Sequence, residues 1–132
     1  RVLICLSDRT DRAGAIELAA VLARLGYRAQ IAVTPAGVLH FKTGCSLIDE
    51  STILAVPAMR YCPEFAGLEV VLTPTGEEGA ANILRVRDTV LIGARWLATQ
   101  AMLAARDVSF RPLPTDQIAH IDAGLSCMSL RW

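Results

Sequence analysis

Short apolar runs alternate with stretches of helical period along this chain. Val2-Leu3-Ile4-Cys5-Leu6 is a continuous apolar run of strand length, as a buried strand requires. Polar residues from Ser7 to Asp11 break it, and Thr10 or Asp11 offers an N-cap for a helix. Across 13–25, Leu18, Val21, Leu22 and Leu25 recur at helical spacing, and Gly26 supplies the stop. Residues 29–33 predict a second strand, closed by Thr34-Pro35. The chain therefore opens as a β-α-β unit, which places it in the α/β class.

The pattern continues in the same style. Residues 38–44 run from an apolar pair into polar residues and a glycine. Segments 46–49 and 52–56 flank Glu50-Ser51 and predict a hairpin. Residues 58–65 predict a short helix that contains Pro63, and 68–72 a strand closed by Thr73-Pro74. A second hairpin is expected from 81–86 and 89–92 around Arg87-Asp88, then a helix over 96–105 and a strand over 108–113. Ile48-Asp49-Glu50-Ser51-Thr52-Ile53-Leu54 aligns with Val86-Arg87-Asp88-Thr89-Val90-Leu91-Ile92, and Pro35, Pro74 and Pro112 close corresponding strands. The spacing predicts a strand–strand–helix–strand unit repeating about every 38 residues. Units related by rotation gather corresponding loops on one face. That face would hold His40 after Pro35, then Glu77, Glu78 and Asn82 after Pro74, and Asp116, His120 and Cys127 after Pro114.

Composition narrows the class further. The 132 residues suit one domain with a real core, 53% hydrophobic and 20% charged. Thirteen basic residues balance thirteen acidic ones, so neither nucleic acid nor an anionic membrane is expected as a partner. No apolar run has the length of a membrane span, and no charged region followed by an apolar run marks a signal peptide. Cys5, Cys45, Cys62 and Cys127 lie far apart, without a C-x-x-C pair. Reduced thiols in a cytoplasmic protein are expected, with no metal site and no cofactor.

The richest chemistry lies at 121–132. A small-residue turn, Asp122 to Gly124, leads into an alternation of Leu125, Cys127 and Ser129 against Ser126, Met128 and Leu130. This pattern predicts a strand with Cys127 at its mouth, where a thiolate nucleophile can be held near the surface. The bland counterpart is a small buried thiol.

Three segments together resemble the dimethylarginine dimethylaminohydrolases of the pentein, or guanidine-modifying, superfamily. They are Gly37-Val38-Leu39-His40-Phe41-Lys42-Thr43-Gly44, Glu78-Gly79-Ala80-Ala81-Asn82, and Ile121 through Trp132; Leu6-Ser7-Asp8-Arg9-Thr10-Asp11 is similar to a fourth. The resemblance implies an α/β propeller of ββαβ units, with 1–132 a single domain forming about half of the ring. It implies that Cys127 attacks the guanidinium carbon of a methylated arginine and that His40 moves protons. A thiouronium intermediate would then hydrolyse to citrulline. It further implies that Arg9 holds the substrate carboxylate and that Ile121 gives backbone contacts. A thiolate suits this weak electrophile, a histidine suits the leaving amine, and an arginine fork suits a carboxylate.

The sequence also departs from the family. Ala123 stands where glycine is usual, His120 where lysine is common, and Asp116 where glutamate is common. The family enzyme is about twice as long, so the chain resembles its C-terminal half. The segments that grip the guanidinium and orient the histidine have no counterpart here; Glu77, Glu78 or Asp122 are the local carboxylates. An N-terminal half, another chain or a homo-oligomer is therefore expected to complete the site. Arginine deiminase and amidinotransferase use the same cysteine and histidine. A non-catalytic half-propeller binding arginine-like ligands or a partner chain is the competing class.

Overall fold

A computed structural model describes residues 2–121 and 123–129. The chain divides into two units, Arg1–Phe41 and Lys42–Trp132. In the first, β1 (Val2–Leu6) pairs in parallel with β2 (Ala29–Val33), Val2 opposite Ala29 and Leu6 opposite Val33. Between them runs α1 (Arg12–Arg24), as its period requires. Asp11 is the N-cap: its carboxylate accepts the Gly14 N–H at 2.8 Å, satisfying one of the first-turn donors. Gly26, at φ +81°, turns the chain out of the helix in a conformation that glycine adopts without strain.

The second unit begins within a single turn, α2 (Phe41–Gly44), where the sequence pattern left 38–44 without a defined element. Then β3 (Cys45–Leu47) and β4 (Thr52–Ala55) form the expected hairpin, and β5 (Glu69–Leu72) joins β4 in parallel. The same plan recurs: β6 (Leu84–Val86) is antiparallel to β7 (Thr89–Gly93), and β8 (Phe110–Leu113) is parallel to β7. The crossover from β7 to β8 is α3 (Leu97–Ala104). The repeat read from the sequence is thus a real repeat of strand order, except that Pro112 lies within β8, opposite Ile92, instead of closing it.

The crossover from β4 to β5 differs from the expected helix over 58–65. It consists of two 3-10 turns, Pro57–Met59 and Pro63–Phe65. Pro63 has no N–H to extend the first turn, and Cys62 before it is extended at φ −60°, ψ 123°. A last short helix, α4 (Asp116–Ala119), was not marked by apolar period. Both sheets of the second unit share one core: Ile48, Leu54, Val71, Ile83, Val90, Ile92 and Leu103, flanked by Trp96 and Phe110. Among the described residues no helix is long and apolar enough to cross a membrane.

Candidate active site around Cys127

Asn82 connects the core to the Cys127 segment. A 3-10 turn, Glu78–Ala81, buries Ala80 and Ala81, and Ile83 on the far side of Asn82 is 2% exposed. Asn82 is therefore clamped between two buried neighbours. Trp96 supports the same turn: a Cβ on Gly79 would stand 2.7 Å from its Cζ2, so only glycine admits the indole.

Cys127 lies in a hydrogen-bonded turn, not at the mouth of a strand as the alternation predicted. The Gly124 carbonyl accepts both the Cys127 N–H at 3.0 Å and the Met128 N–H at 3.2 Å. The Ser126 N–H donates to Asn82 Oδ1 at 3.0 Å, and Ser129 Oγ donates to the Ser126 carbonyl at 3.2 Å. These local bonds satisfy backbone groups that a strand would offer to a neighbour, which is how short polar side chains divert a chain from a ladder. Asn82 Nδ2 points to Cys127 Sγ at 3.9 Å. A Cβ on Gly124 would come within 2.1 Å of that nitrogen, so the close approach depends on glycine. Asp122 and Leu130–Trp132 lie outside the described residues.

The thiol of Cys127 is exposed and its pKa is lowered. The largest cause is a backbone hydrogen bond at Gly124; burial opposes it, and the Asn82 side chain and the Lys42 charge assist. The Cys62 thiol moves the other way, pushed up by burial and by Glu64. The second unit thus holds two thiols with opposite shifts, of which the exposed one is biased toward thiolate.

A cavity of about 300 Å³ shares Ser126 and Ser129 with the Cys127 turn and is also walled by Lys42, Ser46, Leu47 and Arg85. Arg85 is held by Glu50 at 2.6 Å and by the Arg87 carbonyl at 2.9 Å. No carboxylate lines this cavity among the described residues. Glu77 is committed elsewhere: its carboxylate accepts the Ala98 N–H at 3.0 Å, and the Thr99 N–H and Thr99 Oγ1 at 2.7 Å each. It caps α3, and those bonds hold its pKa low against desolvation that raises it. Glu78 accepts the Gly76 N–H at 3.1 Å.

Of the residues singled out from sequence, Cys127 and Asn82 are brought together. Ile121 is in the same unit, 70% exposed, with its N–H on the Ile118 carbonyl at 3.2 Å. Asp116 opens α4 and His120 follows it, both exposed. Arg9 and His40 are exposed residues of the first unit. Arg9 sits in the small Ser7–Thr10 bridge, its N–H on Ser7 Oγ at 3.2 Å. Sequence reasoning missed the intimacy of Asn82 with Cys127 and the charge of Lys42 on the thiol; only the adjacency of Asn82 to Ala80-Ala81 hinted at a rigidly held amide.

No protein-family model matches the chain. It is 32% identical over 126 residues to the N(G),N(G)-dimethylarginine dimethylaminohydrolase of Pseudomonas aeruginosa, a match covering 96% of this chain and 49% of that protein. The solved structure of the Pseudomonas aeruginosa enzyme, a cysteine-to-serine variant with citrulline, aligns at a TM-score of 0.88 and 30% identity. A dimethylarginine dimethylaminohydrolase with a histidine-to-glycine change, an adduct with S-methyl-L-thiocitrulline, aligns at 0.89 and 30%. Each alignment covers 98% of this chain and 51% of the other. The inosamine-phosphate amidinotransferase of Streptomyces griseus shares the fold, at a TM-score of 0.78 and 17% identity over 95% of this chain and 41% of its own. The chain spans about half the length of the dimethylarginine dimethylaminohydrolases it matches. It has the α/β fold of the pentein enzymes, and in sequence and structure it is similar to one half of a dimethylarginine dimethylaminohydrolase.

Proposed function

We propose that this chain is the C-terminal half of a catalytic domain that hydrolyses N-omega-methylated arginine to citrulline and an alkylamine. The observation that carries the reading is Cys127, an exposed thiol of lowered pKa in a turn pinned by Asn82. A guanidinium is resonance-stabilised, so its carbon needs a strong nucleophile, and the thiolate supplies one. Attack forms a C–S bond. The C–N bond to the alkylamine then breaks as His40, in its protonated form, gives the leaving nitrogen a proton. The thiouronium so formed takes up water: His40 accepts a proton from it, the C–S bond breaks, and citrulline leaves with the thiolate restored. Arg9 meets the substrate carboxylate with its planar fork, and Ile121 offers backbone groups to the amino-acid end.

The match to half of the Pseudomonas aeruginosa enzyme supports the substrate class. The histidine and the cysteine replaced in the two aligned dimethylarginine dimethylaminohydrolases are numbered 87 apart, as His40 and Cys127 are here. Among the described residues the cavity beside Cys127 presents Lys42 and Arg85 and no carboxylate, whereas a cationic guanidinium calls for acidic partners. That supports completion by an N-terminal half, by another chain or by self-association.

The test is citrulline release from dimethylarginine by the purified chain, and by a chimera in which it replaces the matching half of the Pseudomonas aeruginosa enzyme. Turnover in the chimera that Cys127→Ser abolishes supports the proposal. A folded but silent chimera contradicts it, and turnover by the chain alone shows that it completes the site by itself.

A further inference from the structure

We infer that Asn82 is a positioning residue that holds the Cys127 turn with one end of its amide and the Cys127 sulfur with the other. The inference rests on Cys127 as the nucleophile, and it concerns how the thiolate is held before any substrate arrives. The amide orientation follows from its partners. The Ser126 backbone N–H is a donor, so the amide atom 3.0 Å from it must be the oxygen. That leaves Nδ2, which can only donate, facing Sγ at 3.9 Å. The distance is long for a neutral thiol, a weak acceptor, and an ionised sulfur draws such a donor more strongly.

Three further features make the arrangement specific. The backbone of Asn82 is fixed by the turn ending at Ala81, through its N–H on the Gly79 carbonyl at 3.3 Å. Its neighbours Ala81 and Ile83 are buried at 0% and 2% exposure, which denies the residue room to swing. Gly124 leaves open the space that the amide occupies, since a Cβ there would lie 2.6 Å from Asn82 Cγ. A side chain needed only to fill space would not require a glycine opposite its polar end. Among the described residues Lys42 is the charged group whose field reaches the same sulfur, and it acts without this geometry.

The test reads the thiol rather than turnover, so its failure is distinct from a failure of the hydrolase reading. Iodoacetamide alkylation of the Cys127 peptide is followed by mass spectrometry against pH, with Cys62 in the same sample as an internal reference. Asn82→Ala removes both contacts; Asn82→Asp keeps an oxygen for the Ser126 N–H and loses the donor to sulfur. Both variants should alkylate Cys127 about tenfold or more slowly near neutral pH, with the profile displaced to higher pH, while Cys62 is unchanged. Asn82→Asp should do so with its melting temperature near that of the parent. In the unaltered chain, the Asn82 side-chain amide resonances should move with the Cys127 titration and stay still in Cys127→Ser. A folded Asn82→Ala that alkylates at the parent rate overturns the inference. If that variant does not fold, amide resonances that ignore the thiol titration overturn it instead.

Discussion

Replacing Glu77 with alanine should destabilise the second unit by about 1.5–5 kcal/mol without touching Cys127. The magnitude follows from what the carboxylate does. It caps α3 by accepting the Ala98 and Thr99 N–H groups, and loss of such a cap costs about 0.5–2 kcal/mol. It also accepts the hydroxyl of Thr99, which is 0% exposed, and a buried donor left without a partner costs about 1–3 kcal/mol. Urea unfolding followed by circular dichroism measures the loss as a lower midpoint at unchanged slope. Glu77→Gln keeps one acceptor oxygen for Thr99 but turns its NH2 toward the Ala98 N–H, and should lose about 1–2 kcal/mol for the charge and that bond together. The pH dependence has a definite sign. The folded carboxyl is held below its ordinary range, so its stabilisation is complete above the unfolded pKa and disappears as pH falls through the folded value. Glu77→Gln should flatten that acid limb. A variant of parental stability with slowed Cys127 alkylation would refute this reasoning and return Glu77 to the site.

Leu103→Ala empties a side chain of 0% exposure from the core that both sheets of the second unit share, and should cost about 2–5 kcal/mol in the same unfolding assay. Lys42→Met should raise the Cys127 pKa, slowing alkylation at neutral pH and removing part of its salt dependence; equal rates at low salt would exclude a role for the Lys42 charge.

The strands were legible because each is a short apolar run bounded by turn residues, and the hairpins because polar dipeptides separate paired runs. The repeat was legible for the same reason, through the matching of 48–54 with 86–92. Where the reading failed around Cys127 and Glu77, a contact distant in sequence decided the outcome. The alternation over 125–130 has strand period, yet Asn82 captures the Ser126 N–H from 44 positions away and the backbone closes into a turn. Glu77 looked like an available carboxylate until α3 packed over it and took both oxygens. Residues 58–65 were expected to be helical in spite of Pro63, and the missing N–H split the segment in two. The candidate nucleophile and histidine came from their motifs, whereas the amide beside the sulfur is placed there only by the fold.

The most direct test of the central claim is rapid acid quenching of the chimera during turnover of dimethylarginine, with mass spectrometry of the Cys127 peptide. The account predicts a substrate-derived thiouronium adduct on Cys127 that forms and decays as citrulline appears, and that is absent from Cys127→Ser. Citrulline produced at the full rate by Cys127→Ser, with no adduct on the parent peptide, would contradict it.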